Sequence, residues 1–218
     1  MNGKTPHSNK IKLSIKSPHV ETYGPMLRSL AARDELNEVI KNRVEKACGL
    51  QDAEVPLYPN DFRKDDHVSE ILGGYSELDE AGLAALGREF RLAGRIVSLR
   101  SFGKVTFFHL QDGGGRLQIY VARERLGQEA YTLFKKLDIG DFVGIQGPLF
   151  RTKTGELTLD AGFVRLVSKS MRPLPEKYHG LKDVEIRYRQ RYVDLIVTPR
   201  TRQIFEARTA IVREFRNF

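Results

Sequence analysis

From Phe90 the apolar residues change to a spacing of two, and that spacing persists through five runs separated by turn residues. Side chains alternate between faces along a strand, so this period marks strands with one face buried and one open. The runs span about 90–101, 105–111, 116–121, 141–150 and 156–167. Phe102-Gly103-Lys104, Gly113-Gly114-Gly115 and Lys153-Thr154-Gly155 supply the turns between them. Between the third and fourth runs, Leu126, Ala130, Leu133, Phe134 and Leu137 follow helical spacing and fall on a single face.

Three strands, a helix and two strands is the order of a small Greek-key barrel of the OB type. The expected fold class is therefore α+β, mainly β: a five-stranded OB barrel with helices before it and a helical segment after it. The spacing of Leu36, Val39, Ile40, Val44 and Ala47 predicts a helix ending near Gly49, with Lys41, Arg43 and Lys46 on its outer face. A rigid aromatic connector follows at Pro56–Phe62, then a short helix around Asp79–Leu86 that Gly87 ends. Residues 1–33 contain a single acid, Glu21, and read as a flexible basic tail, with an organelle transit peptide as the alternative. The expected divisions are 1–33, a helical segment at 34–87, the barrel at 88–170, a proline-stiffened linker at 171–182 and a helical start at 183–218.

Charge points to the class of partner. Lys and Arg number 36 against 28 Asp and Glu, giving a net charge of +8 and a pI near 9.6. Such an excess favours a polyanion. The lone Cys48 excludes an internal disulfide and a cysteine-built zinc site. The five histidines include no pair at helical ligand spacing. No apolar run reaches the roughly 18 residues needed to cross a bilayer, and a cytoplasmic location is the expectation. Gly113-Gly114-Gly115 lacks the Lys-Ser/Thr of a phosphate loop and reads as a hairpin turn. Asp183, Glu185 and Asp194 alternate with Arg187, Arg189 and Arg191, a pattern of ion pairs on a helix.

Alternation also assigns the faces of the barrel. Thr106, Phe108 and Leu110, with Leu117, Ile119 and Val121, form the apolar set that fills it. Val105, Phe107, His109, Gln111, Arg116, Gln118 and Tyr120 fall on the other face, and Arg100 at the end of the first run adds charge and hydrogen-bond donors. Aromatic rings stack on unpaired bases, and a glutamine amide reads a base edge with a donor and an acceptor, so this face suits single-stranded nucleic acid. The competing reading packs Phe107 and Tyr120 as core beneath the N-terminal helix.

The runs AGRIVSLRSFGKVTFFHLQDGGGRLQIYVARERLG (93–127), LDIGDFVGIQGPLFRTKTGEL (137–157) and RPLPEKYHGLKDVEIRYRQRYVDLI (172–196) resemble the bacterial-type lysyl-tRNA synthetases of class II. The similarity covers roughly residues 35–218. It implies that Phe107 stacks on an anticodon uridine, that Arg100 and Gln118 hydrogen-bond uridine edges, and that Glu156 contacts a further anticodon base. His109 joins them from strand alternation, and Tyr120 with less support. The implied partner is the anticodon loop of tRNA(Lys). The resemblance assigns ATP and magnesium to the whole enzyme and none to this chain, because the second and third class II motifs do not occur in it. No catalytic residue is expected here. The first motif is represented by a helix at about Arg200–Phe218, whose apolar stripe predicts the parent's homodimer contact or self-association. Two rivals remain: a stand-alone single-strand-binding OB protein, and a regulatory paralogue of the synthetase.

Overall fold

The computed structural model describes residues 23–32, 37–175, 181 and 183–218; of the tail expected at 1–33, residues 1–22 and 33 lie outside the described residues, as does part of the linker, while Gly24–Ala31 is helical and not a flexible tail. The chain forms two compact units divided between Arg172 and Pro173.

Among the described residues the first unit begins with four helices: α1 (Gly24–Ala31), α2 (Glu38–Gln51), α3 (Val68–Tyr75) and α4 (Glu80–Ala85). Periodicity signals neither α1, which buries Leu27, nor α3, which buries Val68 and Ile71; both are only 8 residues long. Helix α2 starts where Asn37 accepts the Val39 N–H at 2.9 Å and runs past Gly49 to Gln51. Asp79 caps α4 in the same way, through Gly82 N at 2.7 Å.

The basic face of α2 is corrected by the structure. Arg43 is buried, and its guanidinium donates to the carbonyls of Ile139 (2.8 Å) and Ser170 (3.0 Å). Lys46 pairs with Asp138 at 2.6 Å. Asp138 also meets Lys169, whose fully enclosed ammonium reaches Asp141 as well, at 2.9 Å. Arg43 and Lys46 thus fasten α2 to the chain around Asp138 and Ser170, whereas the Lys41 side chain has no hydrogen bond or ion pair among the described residues.

The sheet has seven strands where five runs were expected. They are β1 (Phe90–Phe102), β2 (Val105–Gln111), β3 (Arg116–Ala122), β4 (Phe142–Gly147), β5 (Leu149–Arg151), β6 (Leu157–Asp160) and β7 (Phe163–Ser168), in the order β5-β6-β3-β2-β1-β4-β7. The fourth run splits at Pro148, which has no N–H to give a ladder, and the fifth splits at Ala161-Gly162. The two breaks face each other. Asp160 N donates to Pro148 O at 2.9 Å and Gly162 N to Gln146 O at 3.0 Å, so the strand pair turns a corner there. A Cβ on Gly147 would lie 1.9 Å from the Asp160 carbonyl oxygen, which is why glycine stands at the bend. The ladder is therefore not closed all round, since its end strands β5 and β7 do not pair.

The helix between the third and fourth runs is also interrupted, at Gly127, into α5 (Arg123–Leu126) and α6 (Gln128–Phe134). Phe134 and Leu137 close one end of the core, as the spacing predicts, and Tyr131 joins them by bonding Thr106 Oγ1 at 3.0 Å. The inward set of Phe108, Leu110, Leu117, Ile119 and Val121 is buried throughout. Asp112 clasps the glycine turn, accepting from Gly114 N and Gly115 N, and its second oxygen accepts from Val68 N at the start of α3.

The second unit holds α7 (Val184–Arg189), α8 (Arg191–Val197) and α9 (Pro199–Asn217). Pro199 opens α9, but the Thr198 side chain makes no capping bond. Asp183 caps α7 through Glu185 N and Ile186 N. The expected ion pairs form between Arg189 and Glu185 and between Arg187 or Arg191 and the buried Asp194.

Candidate nucleic-acid interface

Neighbouring strands carry the open face in register. Arg100 lies opposite Phe107 and Ser98 opposite His109; Phe107 in turn lies opposite Tyr120, and His109 opposite Gln118. The β5–β6 hairpin flanks this surface and contributes Phe150, Thr152, Lys153, Thr154 and Glu156. Together they line an open groove of about 580 Å³ that contains all five residues singled out from the sequence: Arg100, Phe107, His109, Gln118 and Glu156.

Arg100 reaches the groove because of an irregularity in β1. Phe90, Leu92, Gly94 and Ile96 are the buried positions of the strand's first half, and continued alternation would bury Ser98 and Arg100. A bulge between Ile96 and Ser98 buries Val97 as an extra residue and reverses the parity. Ser98, Arg100 and Phe102 then face the groove.

One part of the groove is aromatic. The rings of Phe107 and Tyr120 lie 5.0 Å apart at 51°, and Phe150 meets Tyr120 edge-on at 5.8 Å. Phe107 and Tyr120 are half-buried and open to the groove, so the reading that packs them beneath the N-terminal helix does not hold. The other part is polar. Ser98 Oγ lies 2.7 Å from His109 Nδ1, and His109 Nε2 lies 3.4 Å from Glu156 Oε1. Gln118 Nε2 donates to Glu156 Oε2, and Thr158 Oγ1 donates to Gln118 Oε1 at 3.1 Å. Arg100 is exposed and has no hydrogen bond or ion pair among the described residues. Stacking surface, base-edge donors and acceptors, and an unengaged cation thus share one concavity.

Alternation placed Gln111 and Arg116 on this face too, but they bond each other at 2.7 Å and do not line the groove. Sequence reasoning missed Ser98, Phe102, Phe150 and Thr158. The first two depend on the bulge, Phe150 lies beyond the strand break at Pro148, and Thr158 meets Gln118 only through the parallel β3–β6 pairing. Phe150 stands immediately before RTKTGEL, so the turn motif was the available signal.

Residues 90–167 match the family described as the OB-fold nucleic acid binding domain. Across 198 residues the chain is 44% identical to a lysine–tRNA ligase of Pelotomaculum thermopropionicum, covering 91% of this chain and 38% of that protein. It is 49% identical over 181 residues to the lysine–tRNA ligase of Bordetella parapertussis, with 83% and 35% covered. The Ralstonia nicotianae lysine–tRNA ligase is 46% identical over 186 residues, with 85% and 36% covered. The chain is a homologue of these lysine–tRNA ligases over about 85% of its own length. It spans well under half the length of these curated relatives. The groove lies wholly inside the matched OB-fold domain. Among the described residues no helix is long and apolar enough to cross a membrane, and no three His, Cys, Asp or Glu side chains converge as metal ligands.

Proposed function

We propose that the groove binds the anticodon loop of tRNA(Lys) and selects its uridines. The observation that supports this best is the adjoining of the Phe107–Tyr120–Phe150 rings to the Gln118–Glu156 pair, with Arg100 beside Phe107. Phe107 offers its ring to a uracil, Arg100 and Gln118 bond its carbonyls, and Glu156 accepts from a base N–H. His109 supports Glu156. The names of the relatives, each a lysine–tRNA ligase, favour tRNA(Lys) over other single strands.

In the complete enzyme this recognition would serve the attachment of lysine to tRNA, with ATP as the activating substrate. Magnesium would accompany ATP in that enzyme. The homodimer implied by the resemblance would draw on α9, where Ile204, Ile211, Val212 and Phe215 are exposed.

Fluorescence anisotropy with labelled hairpins tests the reading. A tRNA(Lys) anticodon hairpin should bind more tightly than the same hairpin with cytidines in place of its anticodon uridines. Equal affinities would overturn uridine selection.

A further inference from the structure

We propose that Ser98 and Thr158 are positioning residues: their hydroxyls, at the two ends of the groove's polar network, set the hydrogen-bonding sense of every base-facing group between them. This rests on the anticodon reading above. Glu156 is the centre of the argument, because a carboxylate only accepts. Gln118 must therefore turn its NH2 toward Glu156 Oε2, and a neutral His109 must turn its Nε2–H toward Oε1.

Each of these orientations needs a complement on the far side of its side chain. For Gln118 the complement is Thr158, its register partner in the parallel β3–β6 pairing. Thr158 is wholly buried, and its Oγ1 lies 3.1 Å from Gln118 Oε1 and 3.1 Å from the Glu156 carbonyl oxygen. Two acceptors face that hydroxyl, so its single proton is directed at them and not at water. For His109 the complement is Ser98, its partner in the β1–β2 register. Ser98 Oγ already accepts the His109 backbone N–H at 3.3 Å, which leaves its own proton for Nδ1 at 2.7 Å. The ring is held with its proton on Nε2.

One Gln118 N–H and the His109 Nε2–H thus point at the Glu156 carboxylate, each backed by a hydroxyl on its far side. What remains for a ligand is one N–H of Gln118, the free lone pairs of Glu156, and the donors of Arg100. Uracil presents N3–H between two carbonyls, which matches an acceptor flanked by donors. Cytosine presents the bare N3 lone pair at that position, which a carboxylate repels. Were Gln118 free to flip, its carbonyl would oppose the carboxylate and the uracil carbonyl alike. Because both hydroxyls stand on paired strands and not on loops, the pattern is set before RNA arrives.

The test uses the full chain and the uridine and cytidine hairpins, with Thr158→Val, Thr158→Ser and Ser98→Ala. Thr158→Val keeps the buried shape and should bind the uridine hairpin about threefold to tenfold more weakly, leaving cytidine-hairpin affinity unchanged. Thr158→Ser should restore the preference. In the RNA-free protein, the imidazole 15N shifts of His109 should show the Nε2–H tautomer, and Ser98→Ala should move them toward a tautomer mixture. Full preference in Thr158→Val, or equal loss for both hairpins, overturns the role of Thr158. An unchanged tautomer in Ser98→Ala overturns that of Ser98. If the unsubstituted chain shows no preference, the anticodon reading fails and takes the base-specific part of this inference with it. The nitrogen spectra still decide the tautomer part without RNA.

Discussion

At the residue scale, Phe107 is the side chain on which recognition should depend most. Its ring packs against Tyr120 at 5.0 Å and lines the groove, whereas Phe108 next to it is buried in the core. Base–aromatic stacking contributes about 1–3 kcal/mol per base. Phe107→Ala should therefore weaken hairpin binding by about that amount while the thermal unfolding midpoint moves little. Phe108→Ala, made beside it, should do the opposite and damage the fold, since a buried phenylalanine truncated to alanine costs about 3–5 kcal/mol. If Phe107→Ala unfolds the chain, the ring belongs to the core and the groove loses its platform. The two faces of β2 were legible from alternation because β2 and β3 pair without a register shift. Arg100 was reached from its place at the end of the first run and from the resemblance, since the bulge at Val97 breaks the alternation that would otherwise locate it.

At the scale of elements, buried charge is what joins α2 to the sheet. Lys169 stands between Asp138 and Asp141 with no solvent access, and Lys46 of α2 shares Asp138. Burial pushes the Asp138 carboxyl up, but hydrogen bonds and charge from Lys169 and Lys46 outweigh it and hold the group below the ordinary carboxylate range. A lowered folded value means that this stabilisation is complete above the unfolded carboxylate pKa of about 4 and is lost as pH falls through the folded value. Removing one partner of a buried pair typically costs about 3–5 kcal/mol. Lys169→Met should therefore cost about that much at neutral pH, measured by urea unfolding. Its deficit should shrink as pH falls toward and below about 4, because burial pushes the Asp141 carboxyl up even beside Lys169 and the orphaned carboxylates protonate in the folded state. A deficit that does not change with pH would mean that lost packing, not lost charge, accounts for it. None of this was visible in the sequence: Arg43 and Lys46 read as an outer face because the acids and carbonyls they meet lie about ninety or more residues away.

At the scale of the whole molecule, the net charge of +8 predicts how binding responds to salt. Log affinity for a single strand should fall with log salt at a slope of roughly −0.7 per phosphate neutralised. Titrations of the uridine hairpin at several salt concentrations measure it, and a flat response would remove the polyanion argument. The Phe107→Ala variant should keep the wild-type slope, because stacking neutralises no phosphate. The period-two runs, the turn residues and the inserted helix determined the OB class, because alternation is a local consequence of strand geometry. The same runs identified the filled and open faces of β2 and β3. What only the tertiary structure decided are the corner at Gly147-Pro148 and Ala161-Gly162, the parity reversal in β1, and the inward turn of the α2 charges. It also decided that Ser98 and Thr158 complete the polar network. Each of these depends on backbone or side-chain partners from a distant part of the chain, and a periodicity confined to one segment carries no record of them.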